Sequence, residues 1–454
     1  MLLMIGPIAR LPSWTEQPNE GWNAIHAMHA FARTLYPAQP AWIINNYPPL
    51  WFYLTGALGS LIGDPIIAGR ALALAAFFGT TGAVFALLRR LNASFAACLV
   101  GALSFVIIVA GLLGGYVGLS EPQMLAHALV TASVALALGA TDRRTTALAA
   151  VGVVAGIFVK PIVIALPLAA TLWLVLYRRH LVTTWIVTGG AVTIGGASTL
   201  LLGYGAPFAA NFAFPRVLTL HRLGTNLALV LKAIVPLVAF AWFAARPGMA
   251  RQPAIQFAAF AIGAALLEIL MFGGALGVSI NIVFDFVIGA SVGAGLVYDR
   301  LADIAPGARW RAALVAAMMV RVAIGMPNPL RDISPAGRAD LAAQQMSVEA
   351  VVDRLRSLPG PVACEALSAC VWAGHASAAD LWKMRFETTL ASLNGRAFLA
   401  GVADGRFSAV VTFPDFISPA QDRNLPGLYA ALAAWYEPPL KAGPGFLIFL
   451  RKPR

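Results

Sequence analysis

The chain is 454 residues long, 59% hydrophobic, only 11% charged and +12 in formal net charge, with a mean hydropathy of +0.77. Soluble proteins carry charge on roughly 25% of positions, so water is excluded as the main solvent. Nucleic acid is excluded as a partner too, because the arginines sit in short clusters between apolar runs and form no basic stripe with interleaved aromatics.

In chain order, residues 1–9, MLLMIGPIA, read as the last part of a first crossing whose beginning is missing. A start codon placed too far downstream would explain it; no basic n-region or small-residue cleavage site marks a signal peptide. Residues 10–65 then form a first outer loop. Within it Trp22, Ile25, His29, Ala32 and Leu35 recur at helical spacing and predict an amphipathic surface helix. Pro48 to Gly63 is apolar enough to cross, yet counting it as a crossing would put Glu20 and Glu121 on opposite sides. It is therefore expected to lie along the outer interface, where Trp51, Phe52 and Tyr53 suit the headgroup level.

Ten apolar runs follow, at 66–88, 95–117, 122–140, 145–159, 161–177, 182–203, 227–245, 254–273, 282–298 and 310–326. Their lengths are those of helices that cross hydrocarbon. With the incomplete first segment they predict a polytopic α-helical membrane protein of about 11 transmembrane helices, spanning 1–327. The clusters Arg89-Arg90, Arg143-Arg144, Arg178-Arg179 and Arg246 to Arg251 close alternate runs and go to the cytoplasm by the positive-inside rule. That choice puts the N-terminus in the cytoplasm. It puts Glu121, Lys160, His221, Asn281 and the C-terminal tail outside.

Near Asn328 the apolar runs shorten to strand length, in PVACEAL, AVVTF and FLIFL, with helical segments such as Val348 to Ser357 between them. Residues 328–454 therefore read as a small extracytoplasmic α/β domain. Cys364 and Cys370 fall within it and either bridge or remain thiols, since their spacing fixes no geometry. Cys98 reads as a small core residue. No CxxC pair, HExxH or other metal-ligand spacing is present.

Ionisable groups near membrane depth are expensive and so are the candidates for chemistry. Glu20 precedes the first surface helix and Glu121 opens the next outer loop in SEPQ; each is either functional or a helix-start residue. Two carboxylates at one face are what a transferase needs, one to take a proton and one to orient the acceptor or bind a cation. Lys160 in IFVKP, Arg70 in GRALAL and Arg222 after His221, with Pro215-Arg216 upstream, are cations at the same face. They are suited to a departing phosphate or to snorkelling at the headgroups.

At these positions the chain resembles the GT-C superfamily of membrane glycosyltransferases. The likeness is to the bacterial branch allied to glycosyltransferase family 39, relatives of protein O-mannosyltransferases and lipid A aminoarabinose transferase. Asn19-Glu20-Gly21-Trp22 matches its first-loop acidic motif, and Asn46-Tyr47-Pro48-Pro49-Leu50 its His-Pro-Pro-Leu segment. Gly63-Asp64-Pro65 with Gly69-Arg70 matches the next block, Ser120-Glu121-Pro122 the second acidic motif, Phe158-Val159-Lys160-Pro161 the Lys motif, and Asn281 to Asp285 a late Asn block.

The resemblance implies transfer of a sugar from a polyisoprenyl-phosphate donor to a lipid, glycan or protein acceptor at the periplasmic face of the bacterial inner membrane. It implies Glu20 as base with Glu121 in support, and Lys160, Arg70 and Arg222 at the donor phosphate. Asn19, Trp22, Asn46, Tyr47 and Asn281 would border the cavity. Position 19 is Asn where the family has Asp, so the base assignment to Glu20 is kept but a two-carboxylate first loop is not. No cofactor is called for, and a divalent cation stays open. The alternatives are a transporter or lipid flippase, expected to show paired inverted repeats that are not found, and an inactive relative.

Overall fold

The computed structural model of the chain describes residues 4–17, 19–213, 218–232, 234–275, 277–303, 306–325, 331–375, 378–414, 428–442 and 445–453. Pro215-Arg216 and the 327/328 boundary lie outside them.

The N-terminal part is helical. A short helix α1 (Ile5–Arg10) leads into a loop and α2 (Glu20–His29). After α3 (Leu50–Ile62), Gly63 turns the chain at φ 86°, a left-handed helix end that glycine adopts without strain. The Asp64 side chain then caps α4 (Pro65–Arg90) by accepting from Ile66 and Ile67 N–H. Helices α5 (Phe95–Leu112), α6 (Gln123–Gly139), α7 (Arg143–Val159), α8 (Ala165–Tyr177) and α9 (Arg179–Tyr204) follow. Then come α10 (Ala206–Phe212), α11 (Leu220–Lys232), α12 (Ile234–Ala244), α13 (Pro253–Phe272), α14 (Phe284–Arg300) and α15 (Gly307–Gly325).

Each apolar run is thus helical, but the described helices that are long and apolar enough to cross number five, or six if the bent α11–α12 pair is one span. The expected count of about 11 is not reached. α6 and α7 have 17 residues and α8 has 13, or about 26 and 20 Å at 1.5 Å per residue against a hydrocarbon core of about 30 Å. α15 carries Arg309, Arg311 and Arg321 along its 19 residues.

The bundle is arranged around α14. Of the most apolar 18 residues within Ile280–Asp303, 94% are buried, whereas in α9 only 6% are. Asp299, at the far end of α14, accepts from Ser94 N–H at the start of α5. This end carries the arginine clusters; Glu121 and Lys160 belong to the other. α3 is a 13-residue helix packed on α2 and α4. Its aromatics do not lie at its outer surface as expected: Trp51 and Phe52 are fully buried, and Tyr53 reaches Tyr204 hydroxyl to hydroxyl at 2.7 Å.

The C-terminal part is a five-stranded mixed sheet in the order β2-β1-β3-β5-β4. β1 (Val362–Cys364) pairs in parallel with β2 (Ala379–Asp380) and β3 (Ala409–Thr412). β5 (Phe446–Leu450) is antiparallel to β3 and to β4 (Leu440–Ala442). Helices α16 (Pro335–Arg356), α17 (Leu367–Trp372), α18 (Leu381–Thr389), α19 (Leu393–Ala403) and α20 (Leu428–Trp435) surround it. The central strands are apolar because both faces are covered; every residue of β1 and β3 is buried. Cys364 of β1 and Cys370 of α17 are joined as a disulfide, and Cys98 is a buried free thiol.

Candidate active site

The cavity end of the bundle is organised by one arginine. Arg70, in the second turn of α4, is 2% exposed and Glu20, opening α2, is 0% exposed. Arg70 Nε donates to both Glu20 oxygens at 2.9 and 3.0 Å, and Nη2 donates to Oε2 at 2.5 Å. Nη1 donates to the carbonyls of Arg10 and Ser13, and Nη2 to that of Thr15. The second face of Glu20 accepts Ser120 N–H at 2.8 Å. A guanidinium has five N–H donors, and here all are engaged. Arg70 therefore has no donor left for a donor phosphate, and Glu20 has no open side toward substrate. Both residues line a minor crevice, apart from the large cavity described below.

That cavity, of about 450 Å³, opens between this loop, the bundle end and the α/β domain. Of the residues singled out from the sequence, Asn19, Trp22, Asn46, Tyr47, Glu121 and Arg222 line it. Asn19 stands at φ 67°, a left-handed position that Asn tolerates, and starts α2. Trp22 donates to Ile44 O at 3.2 Å and packs edge-on against Tyr47. Glu121 is 4% exposed and forms an ion pair with Lys160, 1% exposed, from the end of α7. Its other oxygen accepts Gln123 N–H at 2.9 Å. The Lys160 ammonium lies 5.2 Å from the centre of the Tyr47 ring. Lys160 is thus one layer behind the cavity surface. Arg222 is anchored by one N–H on Val278 O, 3.0 Å away.

Asn281 is not on the cavity wall. It donates to Gln123 Oε1 at 3.2 Å, the first link of a buried polar chain inside the bundle. Gln123 meets His127 at 2.5 Å, and His127 meets Asp285 at 3.2 Å. The other oxygen of Asp285 accepts Ala165 N–H at 3.4 Å.

The remaining wall was not legible in the sequence. Glu16, four residues before Glu20, faces the cavity, so the first loop does bring two carboxylates although position 19 is Asn. Its Oε1 accepts from Ser368 Oγ at 3.0 Å and Ser368 N–H at 3.4 Å, and its Oε2 from Ala369 N–H at 3.2 Å. Burial pushes its carboxyl up to about 8, against those hydrogen bonds. From the α/β domain come Glu365, Asp380, Trp382 and Lys383. Asp380 starts α18, accepting Lys383 N–H at 3.0 Å; burial raises its carboxyl to about 6, with Lys383 opposing. Among the described residues no group of three or more His, Cys, Asp or Glu converges as a metal site.

Two parts of the chain meet here at close quarters. A Cβ on Gly21 would overlap the backbone of Leu367 and Ser368, so only glycine lets α2 and α17 cross. Trp14 stacks on Trp372 at 5.4 Å, and Trp372 donates to Asp64 at 2.8 Å.

The arrangement of a helical bundle with an α/β domain closing a cavity over its end is shared with solved structures. ArnT from Cupriavidus metallidurans bound to undecaprenyl phosphate is similar over 100% of this chain and 98% of its own, at TM-score 0.66 and 14% identity. Its apo state gives 0.64 over 100% and 97%, again at 14% identity. An oligosaccharyltransferase from Archaeoglobus fulgidus, tethered with an acceptor peptide, gives 0.54 at 12% identity, covering 100% of this chain and 74% of that one. These likenesses are of fold. No family model and no curated protein sequence matches the chain.

Proposed function

We propose that this chain is a glycosyltransferase that moves a sugar from a polyprenyl-phosphate donor to an acceptor hydroxyl at the periplasmic face of a bacterial inner membrane. The observation that carries it is the cavity itself: apolar and polar at once, walled by Asn19, Trp22, Tyr47, Glu121 and Arg222, in a fold shared with an ArnT captured on undecaprenyl phosphate. In this reading the acceptor oxygen attacks the anomeric carbon in a single displacement with inversion. Arg222 meets the phosphate as charge develops on it, with Lys160 held behind by Glu121. Arg70 and Glu20 are read as the clamp that holds the loop. The alliance with glycosyltransferase family 39 rests on the motif matches. About eleven crossings, with the shortest helices accommodated by local thinning of the bilayer, and a division at 327/328 complete the reading.

The test uses purified protein, a panel of radiolabelled polyisoprenyl-phosphate sugars and a membrane-lipid extract as acceptor. Wild type transfers label from at least one donor. Arg222→Ala lowers kcat by about 10²–10³, the range found when one donor to a developing oxyanion is removed. Donor binding without transfer in any combination of sugar and acceptor would favour a carrier of lipid-linked sugars and sink the enzyme reading.

A further inference from the structure

We infer that Glu16, and not Glu20, takes the proton of the acceptor hydroxyl. The inference rests on the glycosyltransferase reading and names the base of that same site. A base must present a carboxylate oxygen to the cavity. Glu20 is enclosed by Arg70 and Ser120 N–H outside it, and Glu121 is bound to Lys160 and Gln123 N–H. Glu16 faces the cavity and is only partly buried, and its hydrogen-bond partners all lie on one side, on α17.

Its position is fixed from both directions along the chain. Arg70 grips the carbonyl of Thr15, directly before Glu16, and the carboxylate of Glu20, four residues after it. Ser368 and Ala369 then hold the carboxylate itself. A base located by backbone and helix in this way needs no reorganisation when substrate arrives. In the step, the hydroxyl O–H bond breaks and its proton passes to Glu16. The oxygen bonds to the anomeric carbon, and the C–O bond to phosphate breaks with its electron pair leaving on the phosphate. Water later takes the proton from Glu16.

Burial raises the Glu16 carboxyl to about 8, with the charge of Glu20 adding to the effect. Other charged groups share the cavity wall. Glu365, Asp380 and Lys383 come from the α/β domain; Glu121 and Arg222 come from the bundle. Activity is therefore expected to rise with pH through an apparent value near 8 as Glu16 ionises.

The experiment compares kcat, donor KM and pH profile for wild type, Glu16→Gln and Glu16→Asp, with the labelled donor that wild type uses. Glu16→Gln is expected to lower kcat by about 10²–10⁴, the usual share of a general base, with KM for the donor little changed and the rising limb gone. Glu16→Asp keeps a carboxylate and retains a rising limb at a shifted pH. Wild-type kcat with the same limb in Glu16→Gln overturns the inference, as does an unshifted limb in Glu16→Asp. Wild type inactive with every donor is a different failure, that of the transferase reading.

Discussion

Arg70 and Glu20 form a buried ion pair, 2% and 0% exposed, and its weight in stability follows from that burial. Breaking a buried pair by removing one partner leaves an uncompensated charge and costs about 3–5 kcal/mol. Arg70→Met and Glu20→Gln are each expected to lower the thermal midpoint in lipid nanodiscs by several degrees, with loosening of the loop at residues 11–17. Restoring much of the midpoint in the double variant would identify the stranded charge as the cause. A wild-type midpoint in either single variant would mean that the pair does not hold the loop. This is also where sequence reasoning stops. The motif Asn19-Glu20 announces an acid in the first loop, but two carboxylates four residues apart, Glu16 and Glu20, differ in role only through what they meet. Arg70 comes from 50 residues away and Ser368 from 352. Asp380 and Lys383 carried no signal at all, because they join the site only through the docking of the α/β domain.

At the scale of elements, the contact between α2 and α17 is a tight constraint on the site. Gly21→Ala puts a methyl into the backbone of Leu367 and Ser368, and overpacking of this kind costs typically about 1–3 kcal/mol. The variant is expected to loosen the α/β domain from the first loop, read as faster hydrogen exchange at Ser368 and Ala369 with little change in the bundle. Unchanged exchange there would mean that the helices slide apart without consequence. The bundle itself was legible in the sequence because the apolar runs have helical length, and these three strands because VAC, AVVT and FLIFL are short and apolar. What periodicity did not give was depth. Run 161–177 folds as a helix of only 13 residues, Ala165–Tyr177, since the turn at Lys160-Pro161 keeps the first apolar residues of the run out of the helix. The aromatic run at 51–53 was likewise read as interfacial, although Trp51 and Phe52 turn inward beneath α2 and α4.

Taken whole, the molecule is a bundle with a lid that is part of the site. Besides Glu16 with Ser368 and Trp14 on Trp372, Asn394 accepts Ala41 N–H at 2.8 Å and Asp380 N–H donates to Trp42 O at 3.0 Å. The Cys364–Cys370 disulfide ties β1 to α17, the helix that holds Glu16. It closes a loop with a sequence separation of 6, for which chain entropy gives about 2 kcal/mol. Cys370→Ser is therefore expected to retain fold but to lower the midpoint of the α/β domain by a few degrees, and reducing agent should have the same effect on wild type and none on the variant. Equal midpoints with and without reductant would show that the bridge does not hold α17. The charge pattern, with arginines at one end of α4, α7 and α9 and Glu121 and Lys160 at the other, was readable from the outset.

The sequence separation of 352 from Glu16 to Ser368 also sets a clock. The first loop leaves the ribosome early, but the helix that holds its carboxylate is made near the end. At about 5–20 residues per second, roughly 20–70 s of synthesis separates the two. During that interval the newborn protein has a bundle and a loop but no closed cavity. A chain stalled or cut anywhere before α17 would lack the wall that completes the cavity.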